Sequence, residues 1–228
     1  MSGTRCTTGD GVDGTACTCR FPTVTEEARR TQVVAAATAA IDEYGASVGT
    51  AQIAERAGIP RPHVYRYVES REHLDALVAR NAASQLLERV RPAFMAPGTG
   101  HEIIHNVLVL TVDWATAHPN LYRFMAQRPQ TPGEHRARFG RTRFLDVVAS
   151  AMAAYLRGSE LTVSVPEGLL AGLIGMADGT IVWWLDHQDE RQSAMVARLT
   201  RQIEAVLRDA LEAVGVNVPE DLRLDPRA

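Results

Sequence analysis

The chain has 228 residues, 46% of them hydrophobic, which is enough for one small domain and one larger domain with a buried core. Its net charge of −3 and pI of about 6.2 exclude a generally basic nucleic-acid coat protein. These values are compatible with a local basic patch, and all 24 basic residues are Arg. The N-terminus has no apolar signal core, and no run comes close to roughly 18 apolar residues. We therefore expect a cytoplasmic protein without a membrane partner.

Residues 1–24 are rich in Gly, Thr, Asp and Cys and have no periodicity, which predicts a disordered N-terminal arm. The arm contains Cys6, Cys17 and Cys19. Cys17 and Cys19 lack the usual CxxC spacing and have no neighbouring His, so we favour an unstructured extension over a metal or redox site. We predict neither a bound metal nor a cofactor for this protein.

The sequence pattern of residues 25–70 predicts a small three-helix domain. A helix from about Glu26 to Tyr44 has one apolar stripe, which includes Tyr44, and Gly45 ends it. Two shorter helices follow and are joined at Gly58, which can take the positive φ that a sharp turn requires. The residues expected to be buried in these two helices are Ile53, Ala54, Ala57, Val64 and Val68.

The second short helix carries basic and aromatic side chains on its open face. Folding alone does not account for two arginines, a histidine and a tyrosine there, whereas a recognition helix in a DNA major groove does. Arg61 and His63 are expected to read bases, while Thr50, Tyr67 and Arg71 are expected to contact phosphates. The full predicted DNA-binding set is Thr50, Arg61, Pro62, His63, Tyr65, Arg66, Tyr67 and Arg71.

These residues resemble the DNA-binding domain of the tetracycline-repressor (TetR) family. The resemblance covers about fifty residues and implies an all-helical protein of about nine helices that dimerises through its last two. It also implies a small-molecule site between the DNA-binding domain and the dimer interface. The segments that carry the resemblance are Ala35-Ala36, Gly45, Ile53–Gly58, Val64–Val68 and Ser70-Arg71.

The sequence departs from the family pattern at four positions. Gly49 and Pro60 stand where Ser or Thr usually caps the two short helices, so Thr50 is left to supply a hydroxyl group. Val68 is smaller than the usual Phe. Arg71 replaces the usual Lys, and a guanidinium can still meet a phosphate with its bidentate fork. These changes bear on sequence preference rather than on the fold.

From Arg71 onward every segment has helical periodicity and no strand pattern appears. We predict an effector-binding and dimerisation domain over residues 71–215 and a C-terminal tail over residues 216–228. The helix that begins at Arg71 is expected to end before Pro92. The later helices are predicted at about His101–Ala117, Leu121–Gln127, Glu134–Arg157, Pro166–His187 and Glu190–Val214.

The last two helices are the predicted dimer interface. The helix Gly168–Asp186 is too apolar to face solvent, and its glycines permit close helix approach. Two-fold symmetry would also double the DNA contact of a single recognition helix. The alternative is that these helices bury each other within one subunit. The residues predicted at the interface are Gly172, Gly175, Gly179, Val196, Leu199, Ile203 and Val206.

A site for an apolar molecule of drug or lipid size is expected among the middle helices, because helix bundles bind ligands in mostly apolar cavities. Asp178 is a carboxylate inside an apolar helix, so it needs a partner: an Arg, a ligand or a group at the subunit contact. The alternative for the apolar side chains is plain core. The predicted effector-binding residues are Trp114, Arg143, Phe144, Val148, Met152, Met176, Asp178 and Trp183.

The segment His101–His105 is a literal HExxH, which on a helix places two imidazoles beside a glutamate as in zinc proteases. A catalytic zinc needs a third protein ligand, and Leu108 and Thr111 occupy the Gly and His positions of the extended motif. We therefore predict no enzyme activity. The sequence favours a ligand-responsive repressor that a small effector releases from a palindromic operator, with a metal-dependent hydrolase or an effector-independent DNA-binding protein as alternatives.

Overall fold

A computed structural model describes residues 25–127, 146–147, 149–150, 166–219 and 221–225. The described part of the chain is all-helical apart from one short strand pair, which confirms the predicted fold class. The elements are α1 (Glu26–Tyr44), α2 (Thr50–Arg56), α3 (Arg61–Tyr67), α4 (Arg71–Phe94), β1 (Gly98–Thr99), α5 (Gly100–Ala117), α6 (Pro119–Gln127), α7 (Glu167–His187), α8 (Gln192–Glu212) and β2 (Arg223–Leu224).

Two predictions fall wholly or mostly outside the described residues. The N-terminal arm over residues 1–24, with its three cysteines, lies outside them. The predicted helix Glu134–Arg157 is described at positions 146, 147, 149 and 150 only, and these four residues are helical. Eight helices are thus bounded in the described ranges, against the nine or so that were expected.

Local signals set the helix ends in the first domain. The Thr25 hydroxyl accepts the Ala28 N–H at the start of α1, and the Ser70 hydroxyl accepts the His73 N–H at the start of α4. Gly45, with φ 83°, ends α1, and Gly58, with φ 63°, makes the turn between α2 and α3. These glycine and cap positions confirm the boundaries predicted from sequence.

One apolar core runs from the first domain into the rest of the protein. The core includes Val33 and Ile41 of α1, Val64 of α3 and Val68 just after it, and it continues through α4 into α5. The expected stripe on α1 is wrong at its end, because Tyr44 is 54% exposed. Its position after the last buried residue, Ile41, places it beyond the edge of the core.

The C-terminal residues join the body of the protein through a small antiparallel ladder. Gly98 pairs with Leu224 and Thr99 with Arg223, so the expectation of no strand is wrong for these four residues. Leu224 and Phe94 both pack against Ile103, which explains why such short strands pair. The helix α4 also continues past Pro92 to Phe94, because a proline near the end of a helix disturbs few backbone bonds.

The apolar stripe of α8 is buried inside the subunit. Val196, Leu199 and Ile203 are nearly inaccessible because α8 packs against α5. Of the four members of the stripe only Val206 is exposed in the subunit, and the prediction that the stripe lies at or beside the subunit interface stays a prediction. Periodicity identified the apolar face of α8 correctly but not the element that covers it.

The opposite situation holds for α7, whose apolar surface is largely uncovered. This helix is long and apolar enough to cross a membrane by length and composition, yet only 22% of its most apolar 18-residue window is buried. The statement that no run approaches span length is thus wrong for α7, although a single such helix is weak evidence for a membrane. Its buried side chains are Leu170, Leu173, Ile181 and Trp184.

Candidate DNA-binding site and effector region

The helix α3 lies on the surface with its polar side chains outward. Val64 is fully buried and fixes the rotation of the helix, so that Arg61, His63 and Arg66 face solvent. Pro62 stands in the first turn, where its missing N–H costs no backbone bond. This seven-residue helix therefore presents two guanidinium groups and an imidazole on one exposed face, which is what reading a DNA groove requires.

Two hydroxyl groups join α2 to α3 on this exposed surface. The Thr50 Oγ1 lies 2.9 Å from the Tyr65 Oη, and the Tyr65 side chain is 44% exposed. Tyr67, expected on the open face, is instead half-buried and packs against the core. Tyr65 is thus the outward tyrosine of α3, and its hydroxyl group lies beside that of Thr50 on the exposed surface.

Arg71 is engaged within the protein. Its Nε donates to Asp75 Oδ1 at 2.8 Å, its Nη1 to the Val48 carbonyl at 2.8 Å and its Nη2 to the Ala46 carbonyl at 3.3 Å. The side chain is 27% exposed. The phosphate contact expected of Arg71 stays a prediction, and it competes with these three internal bonds.

Other polar contacts in the first domain were missed by the sequence reasoning. The Gln32 side chain donates to the Ala57 carbonyl at the turn between α2 and α3, at 2.8 Å. Arg56 Nη1 lies 2.6 Å from Glu43 Oε2. Hydrogen bonds from Tyr44 and Arg56 lower the pKa of the Glu43 carboxyl below its usual value, and the bond to Glu43 raises the pKa of the Tyr44 hydroxyl. The Gln32–Ala57 and Arg56–Glu43 contacts join residues 25 and 13 positions apart, so no local pattern reveals them.

The end of α1 is joined to the body of the protein at Asp42. Its carboxylate lies 2.7 Å from His118 Nδ1, and its carbonyl accepts the Asn120 amide at 3.0 Å. His118 and Asn120 belong to the junction of α5 and α6. Two polar contacts therefore hold the end of α1 against the α5–α6 junction.

The effector region is described only on one side. Trp114 is buried, with its ring centroid 5.1 Å from that of His118 and 6.3 Å from that of Tyr122. The buried Tyr122 hydroxyl donates to Asp178 Oδ1 at 2.9 Å, so an intramolecular tyrosine is one partner of this carboxylate. Met176 is half-buried. The remaining predicted residues Arg143, Phe144, Val148 and Met152 lie outside the residues whose side chains are described.

Trp183 does not face the interior as expected. Its side chain is 57% exposed, its ring stacks on His187 with centroids 3.7 Å apart, and its indole N–H donates to Asp189. The neighbouring Trp184 is buried and donates to the Glu190 carbonyl. Trp184 shares the three-to-four spacing of the other buried residues of α7, and that signal distinguishes the two tryptophans.

Residues 33–75 match the family model described as bacterial regulatory proteins, tetR family. This segment of the chain is similar to the N-terminal domain of the tetR family of bacterial regulatory proteins. The match spans the whole helix-turn-helix, from the core of α1 to the first turn of α4. No curated protein matches the chain at a significant level.

Solved structures of TetR regulators share the fold over most of the chain. A tetR-family regulator from Streptomyces coelicolor superposes with a TM-score of 0.63 at 20% identity, over 82% of this chain and 83% of its own. FadR from Bacillus subtilis, in complex with stearoyl-CoA, gives 0.60 at 18% identity over 76% and 96%. A TetR regulator from Rhodococcus sp. RHA1 gives 0.59 at 20% identity over 80% and 97%. The architecture is that of TetR-family transcriptional regulators.

The helix-turn-helix compensates for one of its two missing caps. The Gly49 N–H, before α2, donates to the Gln52 Oε1 at 3.0 Å, which closes the first turn from inside the helix. Pro60, before α3, makes no side-chain cap bond. A proline fixes φ near the value that helix entry needs, so α3 begins without that bond.

The HExxH segment has structural roles in this fold. The Glu102 carboxylate accepts the Thr99 N–H at 2.9 Å in a capping box at the start of α5. His101 Nδ1 lies 3.0 Å from Glu204 Oε2, and His105 Nδ1 lies 3.5 Å from Thr200 Oγ1. Within the described ranges no group of three or more His, Cys, Asp and Glu side chains has metal-binding geometry. The segment is thus explained as a capped helix start with two histidines bonded to α8.

Proposed function

We propose that the protein is a cytoplasmic, homodimeric transcriptional repressor that a small apolar ligand releases from a palindromic operator. The observation that carries the proposal is the exposed face of α3, where Arg61, His63 and Arg66 point to solvent from a helix anchored by a buried valine. The Thr50–Tyr65 hydroxyl pair flanks that face. Base-reading and phosphate-binding groups thus lie side by side, as recognition requires.

Dimerisation is proposed through α7. Its apolar surface is mostly uncovered in the subunit, and large exposed apolar patches mark association sites. Gly172, Gly175 and Gly179 lie on that surface, and a Cβ added at any of them meets no atom within 4 Å among the described residues. A second α7 related by two-fold symmetry could approach closely along these glycines. The dimer would place two recognition helices about one DNA turn, roughly 34 Å, apart or somewhat more.

Insertion of α7 into a membrane is the competing explanation of its exposure. The contacts of the helix favour dimerisation, because Asp178 is bonded to Tyr122 of α6, and Asp186 to Arg123 of the same helix. A membrane-spanning helix would have to break both contacts and place Asp178 in the hydrocarbon core.

The effector is proposed to bind between α5, α6 and α7, near Trp114 and Met176. The buried aromatic surface around Trp114 suits an apolar chain, and the structurally similar FadR was solved with stearoyl-CoA. Asp42, bonded to the α5–α6 junction, offers a route by which a shift of α6 reaches α1. Ligand and operator must then weaken each other's binding by the same factor.

The test begins with duplexes selected from a random library by the purified protein. The proposal expects a palindromic consensus, two subunits per duplex and protection of half-sites about one turn apart. Stearoyl-CoA serves as the first effector probe. It should raise the melting temperature of the protein, and the fraction of duplex released should increase with the fraction of protein that has bound it. A non-palindromic consensus bound by one subunit would contradict the dimeric repressor, and a chain that selects no consensus would contradict DNA recognition itself.

A further inference from the structure

The most densely bonded side chain near the DNA-binding surface is Arg71, at the first position of α4. The Arg71 bridge, meaning its three hydrogen bonds to Asp75, Val48 and Ala46, uses Nε and both terminal nitrogens. A guanidinium has five N–H donors in a fixed plane, so three are committed inside the protein. The bridge joins the first turn of α4 to the segment that connects α1 with α2.

That connecting segment is short and depends on few backbone bonds of its own. Gly45 takes φ 83°, and the Val48 N–H closes a turn onto the Gly45 carbonyl at 3.2 Å. Arg71 supplies donors to the Ala46 and Val48 carbonyls just beyond that turn. Val48 is only 3% exposed, and buried carbonyl groups require a partner. Withdrawing the guanidinium toward a phosphate would remove that partner.

The segment leads directly into the DNA-binding surface. Gly49 precedes α2 and has no side chain to cap it, and Thr50, the next residue, holds the hydroxyl that meets Tyr65. The position of the Val48 carbonyl therefore sets where Thr50 lies relative to the recognition helix. The charge of Arg71 is also partly neutralised by Asp75, whose side chain is equally sheltered, which weakens its attraction for a phosphate.

We infer that Arg71 is a positioning residue for DNA binding: its bridge fixes the α1–α2 connection so that Thr50 and Tyr65 present their hydroxyl groups together. This inference rests on the proposed DNA-binding function. Arg71 then acts through Thr50 and Tyr65, and the DNA backbone is met by those two hydroxyl groups. A lysine at this position would keep the charge but lose the planar fork that spans two carbonyls and a carboxylate.

The test uses the full-length protein and the variants Arg71→Lys, Arg71→Gln and Asp75→Asn. Arg208→Lys is the matched control, because Arg208 also forms an i,i+4 ion pair, with Glu204, but on α8. Two quantities are measured well below the melting temperature. One is backbone amide exchange over residues 46–50 without DNA, and the other is the salt dependence of affinity for the duplex that the wild-type protein selects.

Arg71→Lys should accelerate exchange over residues 46–50 and weaken duplex binding about tenfold, the scale of one charge-assisted hydrogen bond. The slope of log affinity against log salt should stay at the wild-type value, because no phosphate contact is lost. Asp75→Asn should change both quantities in the same direction, and Arg208→Lys should change neither. A merely structural role would accelerate exchange and leave affinity unaltered.

Accelerated exchange with unaltered affinity in Arg71→Lys would overturn the inference, and so would three other results. The first is unchanged exchange in Arg71→Lys. The second is wild-type duplex affinity in Arg71→Lys combined with tighter duplex binding by Asp75→Asn. That combination is expected if Arg71 contacts a phosphate, because removing the Asp75 charge would then free the guanidinium for the DNA. The third is a salt slope reduced by about 1 in Arg71→Gln, the signature of one lost phosphate contact. If the wild-type protein selects no duplex, the proposed function fails, whereas the exchange data still decide whether the bridge holds the connection.

Discussion

Replacing Gly175 by Ala should stabilise the subunit and weaken the dimer at the same time. Gly175 lies in the interior of α7 on the exposed face, and the added methyl group meets no atom within 4 Å in the described residues. Glycine in the middle of a helix destabilises it by about 0.5–1 kcal/mol relative to alanine. The subunit taken alone should therefore gain about that much free energy of unfolding.

The dimer should lose more than the subunit gains. In a two-fold interface the same residue enters from both subunits, so one substitution inserts two methyl groups. Overpacking of a close contact costs about 1–3 kcal/mol, and each 1.4 kcal/mol raises a dissociation constant about tenfold. We therefore expect the dimer dissociation constant of Gly175→Ala to rise about tenfold or more.

Sedimentation equilibrium over a range of protein concentrations measures the dissociation constant. Melting curves at the same concentrations separate subunit stability from association, because only the latter depends on concentration. Gly100→Ala is the control, since Gly100 begins α5 with equally open space around it. A Gly175→Ala protein that melts higher and dimerises like the wild type would refute the proposed role of the α7 glycines.

Three further predictions follow from the described contacts. Arg61→Ala should reduce the preference for the selected duplex over an unrelated one, whereas Tyr65→Phe should weaken both alike; equal effects on both duplexes from the two variants would contradict the assigned roles. Leu199→Ala should lower the free energy of unfolding by about 2–5 kcal/mol in denaturant titrations, because Leu199 is fully buried, while Val206→Ala on the same helix should cost far less. Glu43→Gln should lower the free energy of unfolding at neutral pH, because hydrogen bonds hold the pKa of the Glu43 carboxyl below 4.5 in the folded state. The difference in stability from the wild type should vanish as the pH falls through that lowered pKa. A difference that persists in acid would refute the assignment.

The first domain could be predicted from sequence because its signals are local. These signals act within a few positions of the chain. They are the left-handed glycines at 45 and 58, the serine cap at 70 and the spacing of the buried residues. The exposed arginines and histidine of α3 followed from the same periodicity, once Val64 was assigned to the core. For these features the sequence alone determined the structure and pointed to the proposed function, since each depends on backbone geometry or on one helix face.

Only the tertiary structure decided which surfaces meet. Periodicity identified the apolar stripe of α8 but could not tell which element covers it, and the structure shows that α5 of the same subunit packs against it. The same limit applies to Asp178, whose bond from Tyr122 crosses 56 residues, and to Arg71, whose carbonyl partners lie 23 and 25 residues away. A helical pattern specifies the direction in which a side chain points from its own axis. The partner it finds there depends on how the helices pack, which no local pattern encodes.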